Sequence, residues 1–426
     1  MRKERKGSEI LTLKEMKRTV LMIGALALMA GCRGSGNVEF PERQYINLTR
    51  AEQDVVNTGN GFAFDLLREV SSESEGATVF LSPFSAQAAL IMAANGAQGD
   101  TYDQIVKAIG FEGYDAATVN SAFGKIVYGL KSVDTSVDFE TANSLWIQNG
   151  FDIRQDYVSL LADNFDAEAS NVDFSSADDV DKINGWCREK THGMIPEIMD
   201  GPNPLLKLAL VNALYFKGQW SLKFDKSDTE EDDFTTIDAV RKKIDFMNQT
   251  EDFLYSESDE MQVCELNFGN KAWCMDFLLP RKDLDFSEFF SDFTFADFDE
   301  YLSAFGTANV RLKLPKLSLE DDINLIPALS RLGITDAFTK GKADFSGIYA
   351  NDRDKDLYIG IVRQKTALEM NEEGAKAAAV TFTGMYTDAC PGPVDQAEFI
   401  ADHPFVLLIR ERSTGSILFI GAYTGR

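Results

Sequence analysis

From Leu205 to the C-terminus the chain carries a succession of strand-like runs: Leu208–Phe216, Val263–Phe268, Trp273–Leu279, Val310–Leu314, Leu357–Met370, Phe405–Ile409 and Ile417–Ile420. Several are continuously apolar. A strand with no polar alternation has no face to offer water, so it must be covered on both sides. Helical periodicity is clearest earlier, in Ala51–Glu69, Ser85–Gly96 and Tyr102–Ile109. Helices first and strands later, without regular βαβ alternation, predict an α+β fold. No repeat, low-complexity block or Pro/Gly-rich linker divides the body, although 426 residues could hold two or three average domains.

Hydrophobic residues make up 44% of the 426, enough for a large core. The formal charge of −26 disfavours nucleic acid and heparin-like polyanions as partners, because both require a basic footprint. The acidic excess reads as a solubility feature, and a monomer is expected. Cys187, Cys264, Cys274 and Cys390 lack metal-ligand spacing, and only His192 and His403 could assist them, so neither metal nor cofactor is expected. Cys264 and Cys274 flank a turn at Gly269-Asn270. A cross-strand disulfide and two free buried thiols both fit, and the strict geometry of a disulfide favours the thiols. Catalysis finds no support either. Ser82 and Ser85 sit at a turn opening a helix without a G-x-S-x-G elbow. Lys190-Thr191-His192-Gly193 reads as a helix end capped by glycine, and His403-Pro404 opens a buried strand.

Lys14, Lys17 and Arg18 precede an apolar run from Val20 to Ala30, too short to span a bilayer and suited to a signal-peptide core. It ends in Met29-Ala30-Gly31-Cys32, which resembles a bacterial lipobox, although Leu is more usual than Met29. Residues 1–31 are thus read as a signal peptide, Cys32 as the lipidated residue, and residues 32–50 as a tether. Met16 is a better-placed start than Met1, which would make residues 1–15 an upstream extension. A plain secretory signal with an incidental Cys32 is the alternative. The expected location is the bacterial cell envelope, anchored by lipid to the outer membrane. No acidic run follows Cys32 to mark export, and the face is left open.

Near the C-terminus stands Glu372-Glu373-Gly374-Ala375-Lys376-Ala377-Ala378-Ala379-Val380. By propensity Ala377–Ala379 could form a turn of helix. Small residues after a glycine also suit a segment that must slide into a packed sheet. Other segments accompany it in a fixed order: Phe80-Leu81-Ser82-Pro83-Phe84-Ser85, Asn95-Gly96-Ala97, Ala142-Asn143-Ser144-Leu145-Trp146, Ile183-Asn184-Gly185-Trp186, Lys190–Ile195, Leu210–Trp220, Leu314-Pro315-Lys316, Ala343-Asp344-Phe345-Ser346 and His403-Pro404-Phe405. Together they resemble the serpin family from about residue 51 onward. The resemblance implies a single domain over residues 51–426 with three β-sheets, about nine helices, an exposed reactive loop at about 374–398, and no catalytic group of the chain's own. It implies a suicide substrate. A serine or cysteine protease cleaves the loop, the loop inserts between Leu208–Phe216 and Gly360–Glu373, and the acyl-enzyme is trapped. The alternatives are a non-inhibitory serpin acting as a carrier and an unrelated surface binding module.

The same resemblance assigns roles. Gly374 through Val380 form the hinge, with Ala375, Ala377 and Ala379 facing the core and Lys376 facing solvent. The family often has Thr or Ser at Ala375 and Glu at Lys376. Lys316 and Glu372 match a pair tethering the top of the sheet, above Trp220. Ser82, Ser85 and Asn212 match a polar cluster beneath its centre, with Gln364 where His is common; Gln also donates and accepts. The attacked bond usually follows the fourteenth residue beyond the hinge glycine, here Asp388 before Ala389. That implies a target with a pocket for an acidic residue. The segment after it is about two residues longer than usual, and a slip of two would place the bond at Tyr386-Thr387, for a chymotrypsin-like target. Asp388 as a plain solvated loop acid is the third reading. Cys390 beside the bond is incidental or redox-sensitive.

Overall fold

A computed structural model describes residues 40–193, 195–350, 356–375 and 396–426. Helix α1 (Arg50–Glu73) leads to β1 (Val79–Leu81), α2 (Pro83–Ala94), α3 (Gly99–Ala108), α4 (Ala116–Leu130), β2 (Asp138–Gln148), α5 (Gln155–Phe165), β3 (Ala167–Val172) and α6 (Ala177–Lys190). Then come β4 (Leu208–Gln219), β5 (Glu230–Thr235), β6 (Arg241–Glu257), β7 (Met261–Phe268), β8 (Trp273–Pro280), α7 (Phe286–Asp292) and α8 (Phe295–Ser303). The chain closes with β9 (Gly306–Pro315), β10 (Leu317–Asn324), α9 (Ile326–Arg331), β11 (Ile359–Asn371), β12 (Gly374–Ala375), β13 (Ala397–Ile400), β14 (Phe405–Glu411) and β15 (Ile417–Tyr423). The described residues therefore hold nine α-helices in an α+β arrangement.

Helix starts follow local chemistry. Thr49 and Glu52 form a capping box at α1, each side chain accepting from the other's amide. Glu52 is also buried. Burial pushes its carboxyl up, but the Lys125 ammonium, the Thr49 amide and the Ser121 and Thr49 hydroxyls more than offset that, bringing it down to about 2. Ser82 caps α2 with Pro83 at the first helical position. At the end of α6 the cap residue is Thr191, and both His192 and Gly193 adopt left-handed backbone, so the turn expected of glycine alone spans two residues. Residues 40–49, within the expected tether, run along the domain: the Gln44 amide donates to Val133 O, and buried Ile46 donates to Ser413 Oγ.

The strands form two hydrogen-bonded assemblies among the described residues. One has six strands, ordered β10-β11-β12-β4-β2-β3. The other has nine, ordered β1-β15-β14-β8-β7-β6-β9-β13, with β5 beside β6. Strand β6 pairs with β5 at its start, with β9 over Phe246–Tyr255 and with β7 at its end. Where three sheets are expected, this strand welds two into one.

Strands β8 and β14 are buried throughout, as continuous apolar runs require. They nevertheless carry charge. Arg410 Nε lies 2.6 Å from Asp276 and its Nη2 lies 2.7 Å from Glu265, whose other oxygen is 3.2 Å from Arg412. Donor atoms of Glu265, Cys274 and Asp276 converge within 4.8 Å. The guanidinium groups of Arg410 and Arg412 together balance the two carboxylates, which makes the cluster an ion-pair network rather than a cation site. Cys264 stands opposite Phe277 and Cys274 opposite Asn267, so the disulfide alternative fails on register; both thiols are free and buried, and burial raises their pKa.

Candidate functional site

The site lies where the six-stranded sheet is least tied together. Strands β4 and β11 run parallel and pair directly only at one end, Ile359, Ile361 and Val362 with Leu208, Ala209 and Leu210. At the other end β12 stands between them, Ala375 opposite Gly218 on β4 and opposite Met370 on β11. Between these points no pairing among the described residues joins Val211–Lys217 to Arg363–Glu369.

The two residues of β12 are fitted closely. Gly374 has φ +145°, in the region that favours glycine, and an added Cβ would meet Gln219 Cα at 2.6 Å and Trp220 N at 2.9 Å. Ala375 is 1% exposed. Trp220 stacks on Phe268 with ring centres 4.4 Å apart, and its indole Nε1 donates to Asn371 O at 2.9 Å. The Trp220 amide donates to Glu373 O at 3.0 Å and the Phe224 amide to Glu372 O at 3.1 Å. The backbone leading into β12 is thus pinned from the β4 side.

Both glutamates are held by charge. Glu372 lies 3.2 Å from Lys316 and accepts from Thr229 Oγ1 at 2.8 Å. Glu373 lies 2.8 Å from Lys223 and 3.1 Å from Lys226. Burial pushes each carboxyl up. For Glu372 its own backbone amide, Thr229 and Lys316 reverse this, and for Glu373 the two ammonium groups do, so both fall below the ordinary value. A lowered carboxyl stabilises the fold above the unfolded pKa of about 4.3 and loses that stabilisation as pH falls through the folded value. Glu373→Gln also leaves Lys223, only 14% exposed, without its partner. The expected cost at pH 7 is ~1–3 kcal/mol. Urea-unfolding curves of variant and wild type should converge towards pH 3; a gap unchanged with pH would contradict the assignment.

Beneath the sheet centre the buried polar side chains form two arms. The Ser82 amide donates to Gln364 Oε1 at 2.7 Å, and Gln364 Nε2 donates back to Ser82 O at 2.8 Å. Ser82 Oγ donates to Leu418 O and accepts from the Ser85 amide. In the second arm Ser85 Oγ donates to Asn212, Asn212 to Asn143, and Asn143 to Phe165 O. Gln364 therefore binds the turn before α2 and not Asn212. Each arm links α2 to a different side of the β4–β11 line.

Sequence reasoning brings Lys316, Glu372, Trp220 and the polar cluster to this line. It misses Lys223, Lys226, Thr229 and Asn143. The first three lie in a polar loop with no pattern of its own; Asn143 carried a signal, a carboxamide inside a strand. The expected hinge residues Lys376, Ala377, Ala378, Ala379 and Val380 lie outside the described residues. So do the reactive-bond candidates Asp388-Ala389 and Tyr386-Thr387, Cys390, and the lipidation candidate Cys32.

A family model described as Serpin (serine protease inhibitor) matches residues 57–425. A leukocyte elastase inhibitor of Bos taurus is 33% identical over 372 residues, covering 84% of this chain and 96% of its own length. An uncharacterized serpin-like protein of Thermococcus kodakarensis is 32% identical over 428 residues, covering 95% of this chain and 98% of its own. Among solved structures, the thermophilic serpin tengpin in its native state superposes with a TM-score of 0.80 at 29% identity, over 91% of this chain and 97% of its own.

Proposed function

Because this chain belongs to the serpin family, we propose that it inhibits a serine or cysteine protease as a suicide substrate. One observation carries the reading: Gly374-Ala375 is seated as a short strand between β4 and β11, antiparallel to both, with the alanine buried. The chain that follows has a direction and a register in which to continue. The protease nucleophile adds to the carbonyl carbon of the attacked bond, the bond to the next nitrogen breaks, and the new amine takes the proton. The acyl-enzyme hangs on the freed loop end. Insertion of the loop by strand addition moves that end across the molecule before water can release it. The chain needs no acid, base or nucleophile of its own; its contribution is a metastable fold.

Counting from Gly374 places Asp388 before the attacked bond. A target with an arginine-lined pocket would pair with that carboxylate, whereas the acidic pocket of a trypsin-like enzyme would repel it. Incubation with a protease panel should give an adduct stable to denaturing electrophoresis with at least one acid-specific enzyme. Sequencing of the released fragment should start at Ala389; a start at Thr387 moves the target to chymotrypsin-like enzymes. Cleavage by every protease without an adduct removes the inhibitory reading. We further assign Cys32 as a lipid anchor to the cell envelope, on the strength of the lipobox-like Met29–Cys32. Cys32→Ser should then move the protein from the membrane to the soluble fraction, and a wild type already soluble would overturn the anchor.

A further inference from the structure

Strand insertion must part β4 from β11 down to the end where they are directly paired. Among the described residues, one ion pair crosses that line below β12. Arg363, on β11, faces Asp322 on β10 through two contacts, Nε–Oδ1 at 2.5 Å and Nη2–Oδ2 at 2.7 Å. Its remaining nitrogen, Nη1, donates to Asp200 Oδ2 at 2.7 Å and more distantly to Ile198 O at 3.4 Å. Asp200 is anchored mainly on the other side of the line, in a segment that also meets Ile361 of β11. It lies in the segment from α6 to β4, whose Ile195, Ile198, Met199 and Leu206 are buried against Trp146 of β2, Val172 of β3, and Ala209 and Val211 of β4. Asn184 of α6 fixes that segment, accepting from the Ile198 and Met199 amides and donating to Met199 O, each at 2.9 Å. One guanidinium, aligned by a carboxylate on its own half of the sheet, thus reaches a carboxylate on the opposite half.

We infer that the Arg363–Asp200 pair is a latch on the lower parting line, and that it sets how fast a strand can complete its entry. The inference rests on the strand-insertion reading above. Arg363 lies seven residues further down β11 than Met370, the partner of Ala375, so a strand of residues 375–388 entering in that register meets the latch about halfway through its entry. Asp322 also faces Lys365 at 3.1 Å and stays paired when Asp200 is changed. The latch is a positioning element and touches neither protease nor reacting bond. Asp200 is 76% exposed, so the pair is weak and open to screening by salt.

The test uses the intact protein and a synthetic peptide copying residues 375–388, which would fill the slot in place of the protein's own loop. Uptake is followed by native electrophoresis at low ionic strength. Asp200→Asn should speed uptake ~2–5-fold over wild type. Asp200→Glu should restore most of the slower rate. Added salt should accelerate wild type towards the Asp200→Asn rate while leaving that variant nearly unchanged, a response a merely structural residue would not give. Measurable uptake at equal rates in wild type and Asp200→Asn overturns the latch and leaves the insertion reading standing. No uptake by any form, together with no gain in stability on loop cleavage, overturns the insertion reading and the latch with it.

Discussion

Protein nicked between Gly384 and Pro393 should unfold at a midpoint more than ~10 °C above that of the intact chain. In the intact protein Val211–Lys217 and Arg363–Glu369 share no pairing among the described residues. A freed loop end continuing from Ala375 would supply a partner for both strands. Each new ladder bond is worth about 1 kcal/mol net, so roughly ten of them approach 10 kcal/mol. A gain of that size moves the midpoint by ~10 °C or more even in a domain of this length. Scanning calorimetry at one fixed scan rate makes the comparison, because a kinetically trapped native state unfolds at a rate-dependent temperature. Equal midpoints would mean that no strand enters.

Gly374→Val should convert the protein from inhibitor to substrate, raising by at least ~10-fold the number of molecules consumed per protease trapped. A valine at φ +145° is strained whatever the space, and here its Cβ would also press on the Gln219 Cα and Trp220 amide at the end of the adjacent β4. The strand then cannot start where β12 now starts. In the proposed mechanism insertion competes with deacylation, so an added barrier of ~1.4 kcal/mol is enough for a tenfold shift towards cleavage and release. Titration of a known amount of protease, with electrophoresis to separate adduct from cut protein, reads the ratio. An unchanged ratio would show that the seated pair has no part in trapping.

The serpin fold was readable from sequence wherever burial is two-sided. Leu208–Phe216, Trp273–Leu279 and Phe405–Ile409 announce themselves because a strand covered on both faces needs no polar residue. Strand β2 did not, although it sits inside the six-stranded sheet: Asn143 and Ser144 interrupt its apolar run, since both spend their polarity on buried hydrogen bonds. Strand β6 is hidden for the opposite reason; its many charged residues look like surface, and its partners β5, β7 and β9 supply the order. At the site, the glycine and the small residues are local features and could be found by reading along the chain. The ion pairs of Glu373 with Lys223 and Lys226, and of Arg363 with Asp200, join segments some 150 residues apart, and no local pattern records them.

The seated pair Gly374-Ala375 also fixes a parity. With Ala375 turned into the core, each later odd-numbered residue that follows it into the sheet is committed to the interior and each even-numbered one to the outside, because side chains alternate strictly along a strand. Inserting one residue between Ala375 and Lys376 exchanges the two sets and drives the lysine inward without a counter-charge. Inserting two restores the original assignment. Length changes in this stretch should therefore be tolerated in even steps and rejected in odd ones, provided that the added residue turned inward is small and uncharged.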